Sequence, residues 1–83
     1  MSISGATLEE GITDYGIGEV QVKKVMQKNA KRTIALADSS KLGAVSLLKV
    51  CGAEEVECFI TDSAVDPEFV EAFRQRGIEI ICK

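Results

Sequence analysis

Residues 33–41, Thr-Ile-Ala-Leu-Ala-Asp-Ser-Ser-Lys, form the stretch that decides the fold. Its first part, Thr33–Ala37, is a short apolar run bounded by polar residues, which predicts a strand. Two similar runs follow, Cys58–Thr61 and Ile78–Cys82. All three are nearly continuous in apolar residues, as is typical of strands buried on both faces of a parallel sheet. The chain is therefore expected to build a largely parallel sheet.

The segment Gly18–Ala30 is predicted to form an amphipathic helix, because its apolar residues recur at three- and four-residue spacing. Its buried stripe should consist of Val22, Val25, Met26 and Ala30. Its solvated face should consist of Lys23, Lys24, Gln27 and Lys28. Glu19 lies four residues before Lys23, a spacing that favours an exposed ion pair within the helix.

A second helix is predicted over Pro67–Arg76 from its end signals. Asp66 is a natural N-cap, Pro67 suits the first turn, and Gly77 follows the last residue. The expected buried stripe consists of Phe69, Val70 and Phe73.

The remaining segments carry weaker signals. Ser46–Val50 predicts a further strand, and Ser2–Ser4 resembles the end of another. The rest of Met1–Gly16 is interpreted as a long polar loop, so the chain looks as though it begins midway through a larger domain. The expected fold is α/β: a mostly parallel, Rossmann-like sheet with flanking helices, forming the second half of a larger domain. Residues 1–83 are expected to be a single partial domain.

Composition excludes several classes of function. The 83 residues are 46% hydrophobic and 28% charged, which is typical of one small globular domain. The net charge of -3, without a basic stripe, argues against direct binding of nucleic acid. No apolar run approaches the roughly 20 residues of a membrane span. No signal-peptide pattern follows Met1, so a cytoplasmic location is expected.

The cysteine pattern predicts neither a disulfide framework nor a metal site. Histidine is absent, and Cys51, Cys58 and Cys82 form no Cys-x-x-Cys pair. Each lies in apolar sequence, so we expect three buried, inert thiols. The alternative, a catalytic thiolate, would need a base that no histidine supplies. We expect no cofactor and no metal.

Residues 38–41 are the strongest candidates for chemistry. They place Asp38, the hydroxyls of Ser39 and Ser40, and the ammonium of Lys41 at the carboxyl end of a buried strand. Ligands bind at that edge of open α/β sheets. Lys41, the two hydroxyls and backbone N–H groups of the turn could together hold an anion. The alternative is a solvated strand-ending turn, since Asp and Ser are common turn residues.

Two further polar groups have equally open interpretations. Thr13 and Asp14 precede the first helix and could contact a ligand or cap that helix. Residues 61–63, Thr-Asp-Ser, close the predicted strand Cys58–Thr61 in the way that Asp38 and Ser39 follow Thr33–Ala37. They also suit an ordinary turn.

Four motifs in order resemble the C-terminal sugar-phosphate-sensing domain of DeoR-type transcriptional regulators. They are Gly-Ile-Thr at 11–13, Glu-Val-x-Val-Lys-Lys-x-Met at 19–26, Ala-x-Arg-Thr-Ile-Ala-Leu-Ala-Asp-Ser-Ser-Lys-Leu-Gly at 30–43, and Phe-Ile-Thr-Asp at 59–62. The similarity runs from about Glu9 to Lys83. It implies a fold similar to that of ribose-phosphate isomerases, in which an Asp-x-Ser-Lys segment holds the substrate phosphate.

The resemblance implies roles for individual residues. Lys41 and Ser40 would contact the phosphate of a sugar-phosphate effector, with Ser39, Asp38 and Thr13 nearby. The isomerases carry a catalytic carboxylate about eighteen positions before this lysine, and ungapped counting places Lys23 there. An ammonium cannot act as that base, so the resemblance implies binding without turnover. DNA would be bound only through an N-terminal helix-turn-helix that these residues do not include.

Two other hypotheses stay open. One is an isomerase-like enzyme, in which the register shifts by one helical turn so that Glu19 is the catalytic carboxylate. The other is an oligomerisation module, because two helices cannot cover both faces of four or five strands. We therefore expect a homodimer or larger homo-oligomer that uses uncovered apolar strand residues or helix faces. The strand residues concerned are Ile34, Leu36, Phe59, Ile60, Ile78 and Ile80.

Overall fold

The strands of this chain form two separate three-stranded sheets. The computed structural model describes all residues from Met1 to Lys83. In chain order the elements are β1 (Gly5–Thr7), β2 (Gly11–Asp14), α1 (Ile17–Asn29), β3 (Ile34–Leu36), β4 (Leu48–Cys51), β5 (Cys58–Thr61), α2 (Pro67–Gln75) and β6 (Glu79–Cys82). Single turns of 3₁₀ helix cover Ser39–Lys41 and Ala53–Glu55. Neither α-helix is long and apolar enough to cross a membrane.

The three strongest strand predictions form one parallel sheet in the order β3-β5-β6. Ala35 of β3 pairs with Phe59 of β5, which pairs with Ile80 of β6. All three residues are at most 2% exposed. Burial on both faces, however, holds only for the central strand β5, because Ile34 and Leu36 of β3 and Glu79 of β6 are exposed. The α/β class is therefore confirmed, and among the strands only these three pair in parallel.

The other three strands form an antiparallel sheet in the order β1-β2-β4, which the sequence did not predict. The expected single, mostly parallel sheet is thus not confirmed. The segment expected to be a long polar loop instead contains the β1–β2 hairpin. Gly11 begins β2 with φ +76°, and a Cβ there would lie 2.3 Å from the carbonyl oxygen of Cys51. This close pairing of β2 with β4 therefore requires glycine.

Helix α2 is confirmed in its ends and its buried face. The Asp66 carboxylate accepts the N–H of Glu68 at 2.9 Å, and Gly77 follows the helix with φ +78°. Phe73 packs edge-on against Phe59, with 5.4 Å between ring centroids. Phe69 stacks on Phe73 at 4.3 Å. These aromatic contacts join α2 to the centre of the parallel sheet.

Helix α1 is confirmed in position, but its predicted buried face is wrong. Val22, Val25 and Met26 are 56–61% exposed, and Ala30 is exposed as well. The face turned toward the protein carries Val20, which is buried, and Lys23 and Gln27, which are half-buried. The physical reason is that Lys23 forms an ion pair with Asp14 of β2, which turns this polar side of the helix inward.

The two sheets leave some strand residues uncovered, as expected. Ile34 and Leu36 of β3 are 38% and 49% exposed, and Ile60 is half-buried. The other three residues of that set, Phe59, Ile78 and Ile80, are buried within the chain.

The cysteine prediction holds for two residues of three. Cys51 and Cys58 are buried, and burial raises the pKa of both thiols, that of Cys51 to about 11. Such thiols are inert at neutral pH. Cys82 is exposed, so the prediction of three buried thiols is wrong there. It is the last residue of β6, an outer strand of the parallel sheet that pairs only with β5.

Candidate functional site

Residues 38–41 form a compact turn at the carboxyl end of β3. Asp38 caps the single 3₁₀ turn Ser39–Lys41, and its Oδ1 accepts the N–H of Ser40 at 3.0 Å. The Ser40 hydroxyl also donates to this oxygen. That hydroxyl, helped by the Ser40 N–H, lowers the pKa of the exposed Asp38 carboxyl. Asp38 is therefore a fixed anion that shapes the turn.

A carboxylate from the next strand holds the same turn. Asp62 follows β5, and its Oδ2 accepts the N–H of Ser39 at 2.9 Å, while its Oδ1 accepts the N–H of Ala64. The Ser39 N–H, followed by the Ala64 N–H, lowers the pKa of Asp62. The turn interpretation of residues 61–63 is thus correct, and this turn also orders the candidate site.

Lys41 is the one cation of this turn, and it has no ionic partner. Its side chain is half-buried, and no carboxylate oxygen lies within 4 Å of its ammonium. The N–H groups of Ser39, Ser40 and Lys41 all donate within the protein. The expectation that backbone N–H groups receive an anion is therefore wrong. What remains available is the positive charge of Lys41.

Thr13 lies in β2, apart from the turn, and is 3% exposed. Its Oγ1 accepts the N–H of Ser46 at 2.8 Å, which anchors the chain that leads away from Lys41. A contact between Thr13 and a ligand stays a prediction. In the structure the hydroxyl secures the loop between the candidate turn and β4.

The residue after Thr13 forms a buried polar cluster that the sequence did not predict. Asp14 receives hydrogen bonds from the Ser4 hydroxyl at 2.7 Å, the Tyr15 N–H at 2.8 Å and the Lys23 ammonium. Its side chain is 3% exposed and that of Lys23 is 16% exposed. Burial acts to raise the pKa of Asp14, but the three hydrogen bonds, with that from Lys23 foremost, outweigh burial and lower it.

This cluster corrects two sequence-based interpretations. Lys23 pairs with Asp14 and not with Glu19, and Asp14 does not cap α1, whose N-cap is Gly16. Asp14 and Lys23 are nine residues apart on different elements, so no helical spacing signals their contact. Only the fold brings them together.

The cluster lies beside the candidate turn. Ser2 pairs in parallel with Leu36, and Ala6 pairs in parallel with Leu42. The segment from Ser2 to Ala6 therefore runs alongside the segment from Leu36 to Leu42, which contains Asp38 and Lys41. Ser4 lies midway along it and donates to Asp14. Through Ser4, the buried cluster is therefore connected to the segment that runs beside residues 36–42.

The chain belongs to the family of the DeoR C terminal sensor domain, whose family model matches residues 1–63. This confirms the resemblance carried by the four motifs. The chain is 32% identical over 80 residues to the HTH-type transcriptional regulator GolR of Listeria innocua, covering 96% of this chain and 32% of that protein. Identity and both coverages are the same for the HTH-type transcriptional regulator IolR of Bacillus subtilis.

A third relative is the HTH-type transcriptional repressor GlcR of Bacillus subtilis, 36% identical over 73 residues, which cover 88% of this chain and 28% of that protein. The chain thus spans about a third of the length of these curated relatives. The relatives are transcriptional regulators, and the matched family is a sensor domain.

Proposed function

We propose that this chain is the effector-binding part of a DeoR-type regulator, and that it binds a phosphorylated sugar. The binding signal would control a helix-turn-helix DNA-binding domain elsewhere in the complete regulator, and no catalysis is involved. The observation that carries the proposal is the unpaired Lys41 ammonium just beyond the carboxyl end of the parallel strand β3. This is the sheet edge at which α/β domains bind ligands.

The proposed contacts follow from how the turn is built. Lys41 supplies the positive charge for the phosphate, and Ser40 and Ser39 lie on the same short turn. Asp38 holds the turn and can accept a hydroxyl of the sugar with its remaining lone pairs. Thr13 stabilises the loop that follows the turn, because its hydroxyl accepts the N–H of Ser46. The effector is thus an anion with hydroxyl groups.

We predict that Lys41→Ala weakens binding of a sugar phosphate by about 1–3 kcal/mol, the scale of a charge-assisted contact. Calorimetric titration of the 83-residue chain with pentose and hexose phosphates measures this, with the unphosphorylated sugars as ligand controls. Lys31→Ala is the matched control variant, because it removes an exposed lysine at the other end of β3. Equal affinity of the parent and Lys41→Ala for every sugar phosphate would contradict the assignment.

A second candidate, an isomerase-like enzyme, has one observation in its favour. Glu19 is an exposed carboxylate that lines a cavity with Lys23, and an aldose–ketose isomerisation needs a carboxylate base. Incubation of the chain with ribose phosphate is expected to give no ketose product. A product that forms with the parent and not with Glu19→Gln would favour the enzyme instead.

A further inference from the structure

The outer side of β6 is the unpaired edge of the parallel sheet. On the opposite edge, the first residues of the chain cover β3. The Met1 amine donates to the carbonyl oxygen of Ile34 at 2.9 Å, and the Leu36 N–H donates to the carbonyl oxygen of Met1 at 2.8 Å. No segment of the chain pairs with the outer side of β6. An unpaired strand edge is a template for pairing with another strand.

The backbone groups on this edge are available for hydrogen bonds to another strand. The N–H groups of Glu79 and Lys83 donate to carbonyl oxygens on the β5 side, at 3.2 and 2.8 Å. Because backbone groups alternate in direction along a strand, those of Ile80 and Cys82 point away from β5. The Ile80 carbonyl receives one long hydrogen bond of 3.4 Å from Arg74 and keeps a second lone pair. Strand β6 contains no proline and no bulge, the features that block pairing at many natural edges.

The side chains of residues 79–83, Glu-Ile-Ile-Cys-Lys, are complementary to a second copy of themselves. Side chains alternate between the two faces of a strand, so Glu79, Ile81 and Lys83 share one face. Glu79 and Lys83 are exposed, and neither forms an ion pair within the chain. Ile81 between them is half-buried. A strand with a carboxylate at one end, an ammonium at the other and an apolar centre matches an identical strand that runs in the opposite direction.

We propose that β6 pairs antiparallel with β6 of a second copy of this chain, in the register centred on Ile81. Glu79 of each copy then faces Lys83 of the other, which gives two ion pairs, and Ile81 lies opposite its own counterpart. The backbone groups of Ile80 bond those of Cys82 in the second copy. Of the registers centred on a residue of β6, only this one sets opposite charges against each other. The pairing is two-fold symmetric, the commonest arrangement of identical subunits.

This interface joins the parallel sheets of two copies into one continuous sheet. Leu36, Ile60 and Ile81 are aligned across β3, β5 and β6 by the strand register. All three are exposed or half-buried, so they form an apolar row on the less covered face of the sheet. Pairing through β6 extends that row into the second copy. The interface uses neither Lys41 nor α1, so it does not depend on the proposed function.

A cross-link at the centre of the pairing tests the register. Directly opposite residues of a non-hydrogen-bonded pair have Cα atoms about 4.5 Å apart, which suits a disulfide. Ile81→Cys, made together with Cys82→Ser in the 83-residue chain, should therefore form a covalent dimer with oxidised glutathione, seen on a non-reducing gel. The parent is the matched control, because its exposed Cys82 would lie diagonally from its counterpart at about 7–8 Å, too far for a disulfide. A variant that cross-links no more than the parent overturns the proposal.

An exchange of charges tests the ion pairs. Glu79→Lys and, separately, Lys83→Glu should each weaken dimerisation roughly tenfold, measured by analytical ultracentrifugation, because two attractive pairs become repulsive. The double variant Glu79→Lys/Lys83→Glu restores both pairs in reverse and should dimerise like the parent. Glu10→Lys is the control, since it makes the same change of charge at an exposed, unpaired residue of the β1–β2 hairpin.

The two tests alter different residues, so each decides the proposal if a variant of the other fails to fold. Single variants that dimerise like the parent, or a double variant that does not recover, overturn the proposed register. Association through α1 alone gives neither the cross-link nor the recovery.

Discussion

Asp14 is the most confined charged side chain of the molecule, and its environment decides how it behaves. The carboxylate is buried, yet three donors surround it, so the charged form is favoured in the folded chain. A buried ion pair often contributes little compared with an apolar replacement, but removing one partner leaves the other uncompensated. The pair is therefore better described as a constraint on where α1 lies than as a source of stability.

We predict that Asp14→Asn lowers the free energy of unfolding at pH 7 by about 2–3 kcal/mol, because Lys23 loses its partner while partly buried. The folded-state pKa of Asp14 is below its ordinary value. This contribution is therefore fully present above the unfolded pKa of about 3.9, and is lost as the pH falls through the lower folded value. Denaturant titrations of parent and variant between pH 7 and pH 2 measure the difference.

Glu10→Gln is the control for that experiment, because Glu10 is exposed and pairs with no cation. It removes a carboxylate without removing a buried contact, so its unfolding free energy should match that of the parent. Equal stability of Asp14→Asn and the parent at pH 7 would show that the ion pair constrains nothing.

Among the elements, α2 could be predicted completely from the sequence and α1 only in its extent. Every signal for α2 is local: Asp66 caps it, Gly77 ends it and its apolar stripe meets the nearest strand. The face of α1 is instead set by the contact of Lys23 with Asp14, which lies on another element. Apolar periodicity alone therefore predicted as buried the face of α1 that is exposed to solvent.

The strands divide in the same way. The parallel strands were predictable because residues such as Phe59 lie in continuous apolar runs. The β1–β2 hairpin was not, because Gly5–Thr7 and Gly11–Asp14 are short and contain little apolar surface. The close approach of β2 to β4 at Gly11 is likewise something that no periodicity reveals.

The candidate site shows the same limit. The sequence predicted Asp38 to Lys41 because these residues are contiguous and follow a strand. The turn is held by Asp62, which is 23 residues from its partner Ser39 along the chain. The loop after the turn is held by the hydrogen bond between Ser46 and Thr13, which are 33 residues apart. Such partners can be found only once the strand order is known.

At the scale of the whole molecule, six of the nine exposed large apolar side chains lie on α1 and β3: Ile17, Val22, Val25, Met26, Ile34 and Leu36. The other three, Tyr15, Val45 and Leu47, lie in the connecting segments. A patch that joins a helix face to an edge strand favours association, and two-fold symmetry is the commonest arrangement of identical subunits. We therefore expect the 83-residue chain to form a homodimer or a larger homo-oligomer.

Light scattering at tens of micromolar protein measures the oligomeric state and so tests this expectation. Val25→Glu should shift the chain toward monomer, because it places a charge at a 61% exposed apolar residue of α1. Gln21→Glu is the control, since it adds the same charge at an exposed residue one turn earlier. A monodisperse monomer of the parent at these concentrations would refute the expectation.

The shallow attachment of α1 has a consequence for motion. Val20 is its only buried side chain, and the Lys23–Asp14 pair is its one ionic tie to the sheets. Strand β5, by contrast, is paired on both edges and carries Phe59. Local opening costs least where few apolar contacts must break. Backbone amides of α1 should therefore exchange with deuterium much faster than those of β5. Equal exchange rates in α1 and β5 would show that the helix is held more firmly than these few contacts indicate.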